Sequence, residues 1–280
     1  MQDKIIDKLR TYSNIAILGF GREGMSTYNF IRRHDKNIKL TIMDAKEVEV
    51  DDVNVSYKKY NGLSEELDEF DLIIKTPGVP IKDLDNKVVE KMTSQMELLL
   101  EVDSENIIGI TGTKGKSTTS SMLYKILKDQ LGNVYFAGNI GIPVLDNIEE
   151  YKDATIVVEM SSHQTQTLKV SPHIGVILNM FLDHLDHAGN ARNYHNAKMN
   201  LVRHQKRDDV FIYDLDNYYI STQDFSNIFG KKLTVSLENL ADIYLKEDTI
   251  YLNGKPLVNR NDINTKLIGD HILKILCFVY

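Results

Sequence analysis

Short apolar runs and amphipathic segments alternate along the first hundred residues. Residues 14–19 (NIAILG), 39–43 (KLTIM) and 71–75 (DLIIK) are apolar runs of strand length, and residues 23–33 follow the first of them with a helical pattern. Strands that alternate with helices predict βαβ units and a mostly parallel sheet. The turn at residues 76–80 directly follows a strand, which is where open α/β sheets place their ligands.

The same alternation begins again near residue 104. A helix is predicted at residues 117–127, and strands are predicted at 107–111, 155–159, 174–179 and 210–213. The near-continuous apolar character of these strands is typical of a parallel sheet covered on both faces. After Lys231 the segments become short and β-like, and residues 248–255 predict a hairpin with an Asn-Gly turn. The final apolar stretch, residues 272–280, is predicted to be either a strand or a helix.

The length of 280 residues suggests two domains, and we place them at residues 1–103 and 104–280. A formal net charge of −7 argues against bulk binding to nucleic acid or anionic membranes. The single cysteine, Cys277, excludes an intrachain disulfide. Neither a signal peptide nor an apolar run of membrane-spanning length is recognisable, so a cytoplasmic protein without membrane insertion is expected.

The first glycine-rich motif, residues 19–24 (GFGREG), matches G-x-G-x-x-G between a predicted strand and a predicted helix. Asp44 lies at the end of the next strand. In this layout glycines let a diphosphate approach the backbone, the helix N-terminus attracts it, and the acid accepts a ribose hydroxyl. The motif predicts a diphosphate site without selecting the nucleotide. The alternative is a turn that only packs the helix against the strand.

The second motif, residues 109–119 (GITGTKGKSTT), also links a predicted strand to a predicted helix. Backbone N–H groups of such a loop bind phosphate oxygens, while Lys116 would neutralise the β- and γ-phosphates and Ser117 would coordinate Mg²⁺. The spacing departs from the general P-loop pattern, because Ile110 stands where the first glycine is expected. The alternative is a helix N-cap formed by Ser117 or Thr118.

Polar residues follow two further strands. Glu159 ends the strand at 155–159, where a nucleotide-bound Mg²⁺ needs an oxygen ligand. The alternative there is a helix cap made by Ser161 or Ser162. Residues 183–187 (DHLDH) carry two histidines and two aspartates, which predict either a metal site or a solvated polar loop. Zinc is disfavoured, because no cysteine joins this group.

In this order the motifs resemble those of the Mur ligase family, ATP-dependent amide-forming enzymes of peptidoglycan synthesis. The shortened loop G-T-x-G-K-S is that family's form, and its later motifs are similar to residues 138–141 (GNIG), 159–162 (EMSS) and 183–186 (DHLD). Within the family, this chain most resembles the members that join glutamate to UDP-N-acetylmuramoyl-L-alanine. That similarity lies at residues 19–26, Asp44 and residues 76–78.

The resemblance implies the fold, the reaction and the ligands. The fold is α/β, with an N-terminal Rossmann-like domain that binds the UDP-sugar and a P-loop-type central ATPase domain, with a mostly parallel sheet and a small β extension. ATP would phosphorylate the carboxylate of UDP-N-acetylmuramoyl-L-alanine, and the amine of glutamate would attack the acyl phosphate. A carboxylate is a poor electrophile, and phosphorylation gives it a leaving group. ATP and Mg²⁺ are the implied cofactors, and a monomer is expected.

Individual roles are carried over residue by residue. The ATP phosphates would contact Gly112, Thr113, Lys114, Gly115, Lys116, Ser117 and Thr118. Mg²⁺ would be held by Ser117, Glu159, His184 and Lys198, the last carbamylated by CO₂ so that a cation becomes an anion. The implied catalytic residues are Lys116, Asn139, His184 and Lys198. The UDP substrate would be bound by Gly21, Arg22, Glu23, Gly24, Asp44, Gly78 and Ser161. Without the resemblance, Lys198 is most simply an ordinary helix-surface lysine.

Two departures from the family pattern stand out. Its segment at residues 269–271 (GDH) normally continues with asparagines that contact adenine, but Ile272 and Ile275 stand at those positions. Its third, C-terminal domain is expected to be absent, so a truncated ligase is expected. The alternatives are a non-catalytic nucleotide-binding remnant, a NAD-dependent oxidoreductase based on residues 19–24, or another member of the same superfamily.

Overall fold

The structure is a computed structural model that describes residues 1–138, 142–181, 191–263 and 270–279. Within the last range the side chains are described from Lys274 onward. The predicted site residues Asn139 and His184 lie outside the described residues.

The α-helices follow in chain order, and three of them are single turns. They are α1 (Gln2–Leu9), α2 (Arg22–His34), α3 (Asn86–Val89), α4 (Gln95–Asp103), α5 (Lys116–Leu131), α6 (Ser162–Thr165), α7 (Ala191–Arg203), α8 (Tyr218–Ser221) and α9 (Asp270–Val279). The first five strands are β1 (Ile15–Leu18), β2 (Leu40–Asp44), β3 (Val55–Lys59), β4 (Leu72–Lys75) and β5 (Met92–Thr93). The later strands are β6 (Ile107–Thr111), β7 (Val134–Gly138), β8 (Thr155–Glu159), β9 (Ile174–Ile177), β10 (Val210–Asp214), β11 (Lys231–Ser236), β12 (Ile243–Lys246), β13 (Thr249–Leu252) and β14 (Lys255–Asn259).

The first sheet has the strand order β3-β2-β1-β4-β5, and all of its pairs are parallel. Strands β1 and β4 are buried at every position, which fits their continuous apolar sequence. The chain moves outward from β1 through β2 to β3 and then returns to the other side of β1. The loops after β1 and β4 therefore meet at the point where the strand order reverses, the usual ligand position in such sheets.

The second sheet has the order β14-β13-β12-β11-β10-β9-β6-β8-β7. Pairing is parallel from β7 to β12 and antiparallel from β12 to β14. This confirms the mostly parallel sheet with a small β extension. The predicted Asn-Gly hairpin is present, with positive φ angles of 51° at Asn253 and 79° at Gly254. The last apolar stretch is a helix, α9, which packs against α5, β11 and β12.

The two sheets share one buried apolar cluster, which contains Ile17 from β1, Leu99 from α4 and Ile156 from β8. A hydrogen bond of 2.6 Å from Ser26 Oγ in α2 to Asp146 Oδ1 also joins the two parts. The sheets lie on opposite sides of residue 104 in sequence, while the predicted division into two domains stays a prediction. Across the described ranges, no helix is both long and apolar enough to cross a membrane.

Candidate functional site

The phosphate-loop motif lies between β6 and α5, at the carboxyl end of an interior strand of the second sheet. Gly115 is the N-cap of α5 and has a φ of 83°, a left-handed conformation that glycine adopts without strain. Lys116 bends back over the loop, and its Nζ donates hydrogen bonds to the carbonyls of Gly112 at 2.9 Å and Thr113 at 3.2 Å. The N–H groups of the first turn of α5 have no partner within the helix, so this end can bind an anion.

Ser117 and Glu159, both predicted Mg²⁺ ligands, are in direct contact. Strands β6 and β8 are neighbours, and Glu159 pairs with Ile110, just before the loop. The Ser117 hydroxyl donates to Glu159 Oε1 at 3.1 Å, and the Glu159 side chain is buried. A hydroxyl and a carboxylate are hard oxygen ligands of the kind that Mg²⁺ prefers, so this pair fits the predicted ion.

Lys198 is buried beside the same loop, which contradicts its interpretation as a helix-surface lysine. Lys198 is 1% exposed, and its Nζ donates to the carbonyl of Gly112 at 2.9 Å. The ammonium also lies 4.6 Å from the centre of the Tyr194 ring, a cation–π contact. The structure therefore brings Lys116, Ser117, Glu159 and Lys198 together around the phosphate loop. The carbamylation of Lys198 stays a prediction.

Asn179 is a site residue that the sequence analysis did not single out. It lies two residues after β9, and its side-chain amide hydrogen-bonds the backbone of Thr113 and Lys114. Tyr194 is a second such residue, and its hydroxyl hydrogen-bonds Thr113 Oγ1 at 3.2 Å. A polar residue directly after a buried strand was the available signal for Asn179.

An apolar pocket of about 480 Å³ adjoins Lys114 and Gly115. Its apolar walls are Leu178, Phe181, Leu237, Ile275 and Phe278. At its edge, Lys274 Nζ contacts the carboxylates of Asp214 and Asp216 at 2.9–3.1 Å. Ile275, one of the two departures from the family pattern, is thus a wall of this pocket, while Ile272 has no described side chain.

The first glycine-rich motif forms a tight turn between β1 and α2. A Cβ on Gly24 would lie 2.1 Å from the carbonyl oxygen of Gly19, so only glycine allows this close approach. Gly21 is the N-cap of α2, and the space in front of Gly21 and Gly78 is open. Asp44 accepts hydrogen bonds from the N–H of Phe20 at 2.6 Å and of Lys46 at 2.9 Å. Its carboxylate thus holds the turn, and its contact with a ribose stays a prediction.

Buried charges lie next to this turn. Lys75, at the end of β4, is 3% exposed, and its Nζ donates to the carbonyl of Thr76 at 2.9 Å. Burial lowers the pKa of Lys75 to about 8, although the neighbouring Glu23 opposes this shift. Burial likewise raises the pKa of Glu23 to about 7, against the attraction of Lys75. Lys75 was predicted only as a strand residue.

A cleft separates the first turn from the second sheet. A pocket of about 140 Å³ is lined by Arg22, Glu23 and Pro77 on one side, and by Gly138, Pro143 and Gln164 among others on the other side. Ser161 caps α6 and exchanges hydrogen bonds with Gln164, so the predicted capping role of this segment is confirmed. Gln164 therefore links Ser161 to the cleft.

Comparisons with known proteins agree with this geometry. A profile of the Mur ligase middle domain matches residues 110–275. The chain is 31% identical over 271 residues to a UDP-N-acetylmuramoylalanine–D-glutamate ligase of Clostridium acetobutylicum, covering 90% of this chain and 58% of the relative. A ligase of the same name from Clostridium botulinum is 30% identical over 288 residues, covering 96% and 62%. The chain thus spans about three fifths of the length of these curated relatives.

Solved structures with the same fold are ligases as well. MurF from Acinetobacter baumannii aligns with a TM-score of 0.57 at 13% identity, covering 99% of this chain and 63% of that one. MurF ligase from Thermotoga maritima in complex with ADP aligns with a TM-score of 0.51 at 14% identity, covering 94% and 58%. At these identities the likeness concerns the fold alone.

Proposed function

Because the chain belongs to the Mur ligase family, we propose that it binds ATP and a UDP-linked muramoyl substrate for the ATP-dependent formation of an amide bond to glutamate. In this reaction the γ-phosphoryl group passes to the carboxylate of UDP-N-acetylmuramoyl-L-alanine. The amine of glutamate then forms the amide bond as the carbon–oxygen bond to phosphate breaks. The names of the curated relatives support this choice of substrates.

One observation carries the proposal. Lys116 and Lys198 both donate to the carbonyl of Gly112, while Ser117, the residue after Lys116, donates to Glu159. Two cations, a hydroxyl and a carboxylate thus surround one glycine-rich loop at the carboxyl end of β6. Transfer of a phosphoryl group depends mainly on positioning and on neutralising charge, and these groups supply both.

The roles follow from these positions. Lys116 neutralises the phosphates, and the N–H groups of the first turn of α5 bind their oxygens. Ser117 and Glu159 would hold Mg²⁺, which supplies further neutralisation of the phosphate charge when bound. His184 and carbamylated Lys198 are its further proposed ligands, and Asn139 is proposed to contact the reacting carboxylate. The contact of Lys198 with Gly112 ties its side chain to the phosphate loop.

The base of ATP is proposed to occupy the apolar pocket beside Lys114. Leu178, Ile275 and Phe278 offer apolar contact to a planar ring, so the base is held there without the family's asparagines at positions 272 and 275. The sugar nucleotide is proposed to bind across the cleft, with its diphosphate near Gly21 and Gly78 and its muramoyl group directed towards Ser161.

Calorimetry with Mg²⁺-ATP tests the ATP part of this proposal. The wild-type chain is expected to bind, and Lys116→Ala is expected to weaken binding about 10- to 100-fold, because hydrogen bonds to charged groups contribute about 1.5–3 kcal/mol each. Lys125→Ala is the matched control, since Lys125 is an exposed lysine on the same helix. Absence of binding by the wild-type chain with ample Mg²⁺ would refute the proposal. Phosphate release that requires both the muramoyl nucleotide and glutamate tests the ligation.

A further inference from the structure

Asn179 connects the phosphate loop to the segment that follows β9. Its Oδ1 accepts hydrogen bonds from the N–H groups of Thr113 at 3.1 Å and Lys114 at 2.9 Å. Its Nδ2 donates to the carbonyl of Lys114 at 2.9 Å. The main-chain carbonyl of Asn179 also accepts from the N–H of Thr113, at 3.0 Å. One residue thus uses both ends of its carboxamide and its backbone to hold two consecutive residues of the loop.

These contacts divide the N–H groups of the loop into two sets. Those of Thr113 and Lys114 point towards Asn179 and are satisfied within the protein. Those of Lys116, Ser117 and Thr118 belong to the first turn of α5, where no carbonyl of the same helix can reach them. Only the second set has the geometry of a helix N-terminus that can bind phosphate.

The neighbouring residues support the same arrangement. The N–H of Phe181 donates to Thr113 Oγ1 at 3.1 Å, so the segment after Asn179 holds the loop a second time. Tyr194 contacts the same hydroxyl from α7. Among the side chains that the structure describes, Asn179 alone is hydrogen-bonded to the backbone N–H groups of both Thr113 and Lys114. Loss of its carboxamide would therefore release the N–H of Lys114, while the N–H of Thr113 would keep its bond to the main-chain carbonyl of Asn179.

We propose that Asn179 is a positioning residue for phosphoryl transfer: its carboxamide fixes the loop in the phosphate-binding conformation before the nucleotide arrives. This inference rests on the proposed ATP site and adds to it the residue that holds the loop in place before ATP binds. A preorganised loop loses less conformational freedom when the triphosphate binds, so Asn179 increases the affinity for the triphosphate.

Residue-resolved amide exchange on the wild-type 280-residue chain gives a first test that needs no variant. Without nucleotide, the N–H groups of Thr113 and Lys114 are expected to be protected already. On addition of Mg²⁺-ATP, those of Lys116, Ser117 and Thr118 are expected to gain at least about ten-fold protection, while the first two change less than about two-fold. A gain at Thr113 and Lys114 equal to that of the helical set would overturn the proposal, because those groups would then bind phosphate themselves.

Asn179→Ala gives the second test. Exchange at Lys114 is expected to become at least about ten-fold faster, while exchange at Thr113 changes less, because its N–H keeps its bond to the main-chain carbonyl of Asn179. The affinity for Mg²⁺-ATP is expected to fall about 10- to 100-fold, because the three side-chain hydrogen bonds to the loop are lost. The affinity for Mg²⁺-tripolyphosphate, which has no base, is expected to fall by the same factor. Asn179 also lines the apolar pocket beside Lys114, so an unchanged affinity for tripolyphosphate would show only a contact with the base and contradicts the proposal.

Asn217→Ala is the matched control. Asn217 is a buried asparagine whose Oδ1 accepts from the N–H of Met180, at 3.3 Å, one residue away from the partly buried Asn179. It makes no described hydrogen bond to the phosphate loop, so its loss is expected to leave the affinity for Mg²⁺-tripolyphosphate unchanged. If wild type binds Mg²⁺-ATP and Asn179→Ala binds it equally well, the role of Asn179 is refuted while the ATP site stands. If wild type does not bind, the ATP site itself is refuted.

Discussion

The buried Lys75 makes the free energy of unfolding depend on pH in a way that a variant can isolate. Its pKa falls from 10.5 to about 8 in the folded chain, mainly through burial, and Glu23 partly opposes that fall. Between these two values the unfolded chain holds the proton and the folded chain does not. Stability therefore rises with pH across this window, and the lysine is most unfavourable below about pH 8. This shift in the pKa of Lys75 corresponds to a change of about 3 kcal/mol in the free energy of unfolding.

The perturbation is Lys75→Met, made in a Glu23→Gln background so that the carboxylate does not titrate in the same range. Without Glu23 the ammonium loses its opposing charge, so the pKa of Lys75 is expected to lie below 8. At pH 7 the variant with methionine at position 75 is expected to have a higher free energy of unfolding than the variant with lysine. This difference is expected to shrink by at least about 3 kcal/mol between pH 7 and pH 10.5. Part of that advantage at pH 10.5 reflects packing alone, which does not vary with pH.

Urea unfolding of the two variants at pH 7, 8, 9 and 10.5 measures this difference. Lys39→Met in the same background is the control, because it removes an exposed lysine. A Lys75 difference that varies with pH no more than the Lys39 difference would refute the reasoning, since it would mean that the Lys75 ammonium is hydrated in the folded chain.

Three further predictions concern the site itself. Gly138→Ala is expected to lower the free energy of unfolding by about 1–3 kcal/mol or more and to weaken Mg²⁺-ATP binding. The φ of Gly138 is 107°, and a Cβ there would lie 2.2 Å from the carbonyl oxygen of Glu159. Gly132 has a positive φ but open space around it, so equal effects in Gly132→Ala would contradict the clash. Ile275→Ala is expected to lower adenosine affinity about 3- to 10-fold in calorimetry by removing buried apolar area, and an unchanged affinity would exclude the base from this pocket. Asp44→Ala is expected to weaken UDP binding about ten-fold while Mg²⁺-ATP binding is unchanged, because the turn loses its contact with Phe20; unaltered UDP binding would exclude the first turn as a diphosphate site.

The elements that carry the phosphate loop could be predicted from sequence because their signals are local. The strands that became β6 and β8 have the predicted bounds, since both are buried on two faces and read as continuous apolar runs. Helix α2 was predicted at residues 23–33 and spans Arg22–His34, so it is longer by one residue at each end. The prediction is close because the preceding glycines and the apolar periodicity mark this helix. For the last apolar stretch, residues 272–280, the sequence did not decide between a strand and a helix, because a short apolar run has no periodicity that separates the two.

The contacts that complete the site could not be predicted in the same way. Asn179 was expected to end a strand, but β9 ends at Ile177 and Asn179 turns towards a loop 65 residues earlier in the chain. Its role depends on β6 and β9 being neighbours, which the strand order decides and the local pattern does not. Lys198 likewise looks like a surface residue until α7 is packed beside the phosphate loop.

Both proposed ligand sites contain ammonium groups that are turned inward onto loop carbonyls. Lys116 and Lys198 donate to Gly112, and Lys75 donates to Thr76. A carbonyl carries only a partial charge, whereas an arriving phosphate carries full negative charges. Phosphate binding therefore gives the folded chain stability that the unfolded chain cannot gain. We therefore expect Mg²⁺-ATP at 100 times its Kd to raise the free energy of unfolding by about 2.7 kcal/mol. In Lys116→Ala the same concentration is expected to give a clearly smaller increase, and an equal increase would show that Lys116 does not face the phosphates.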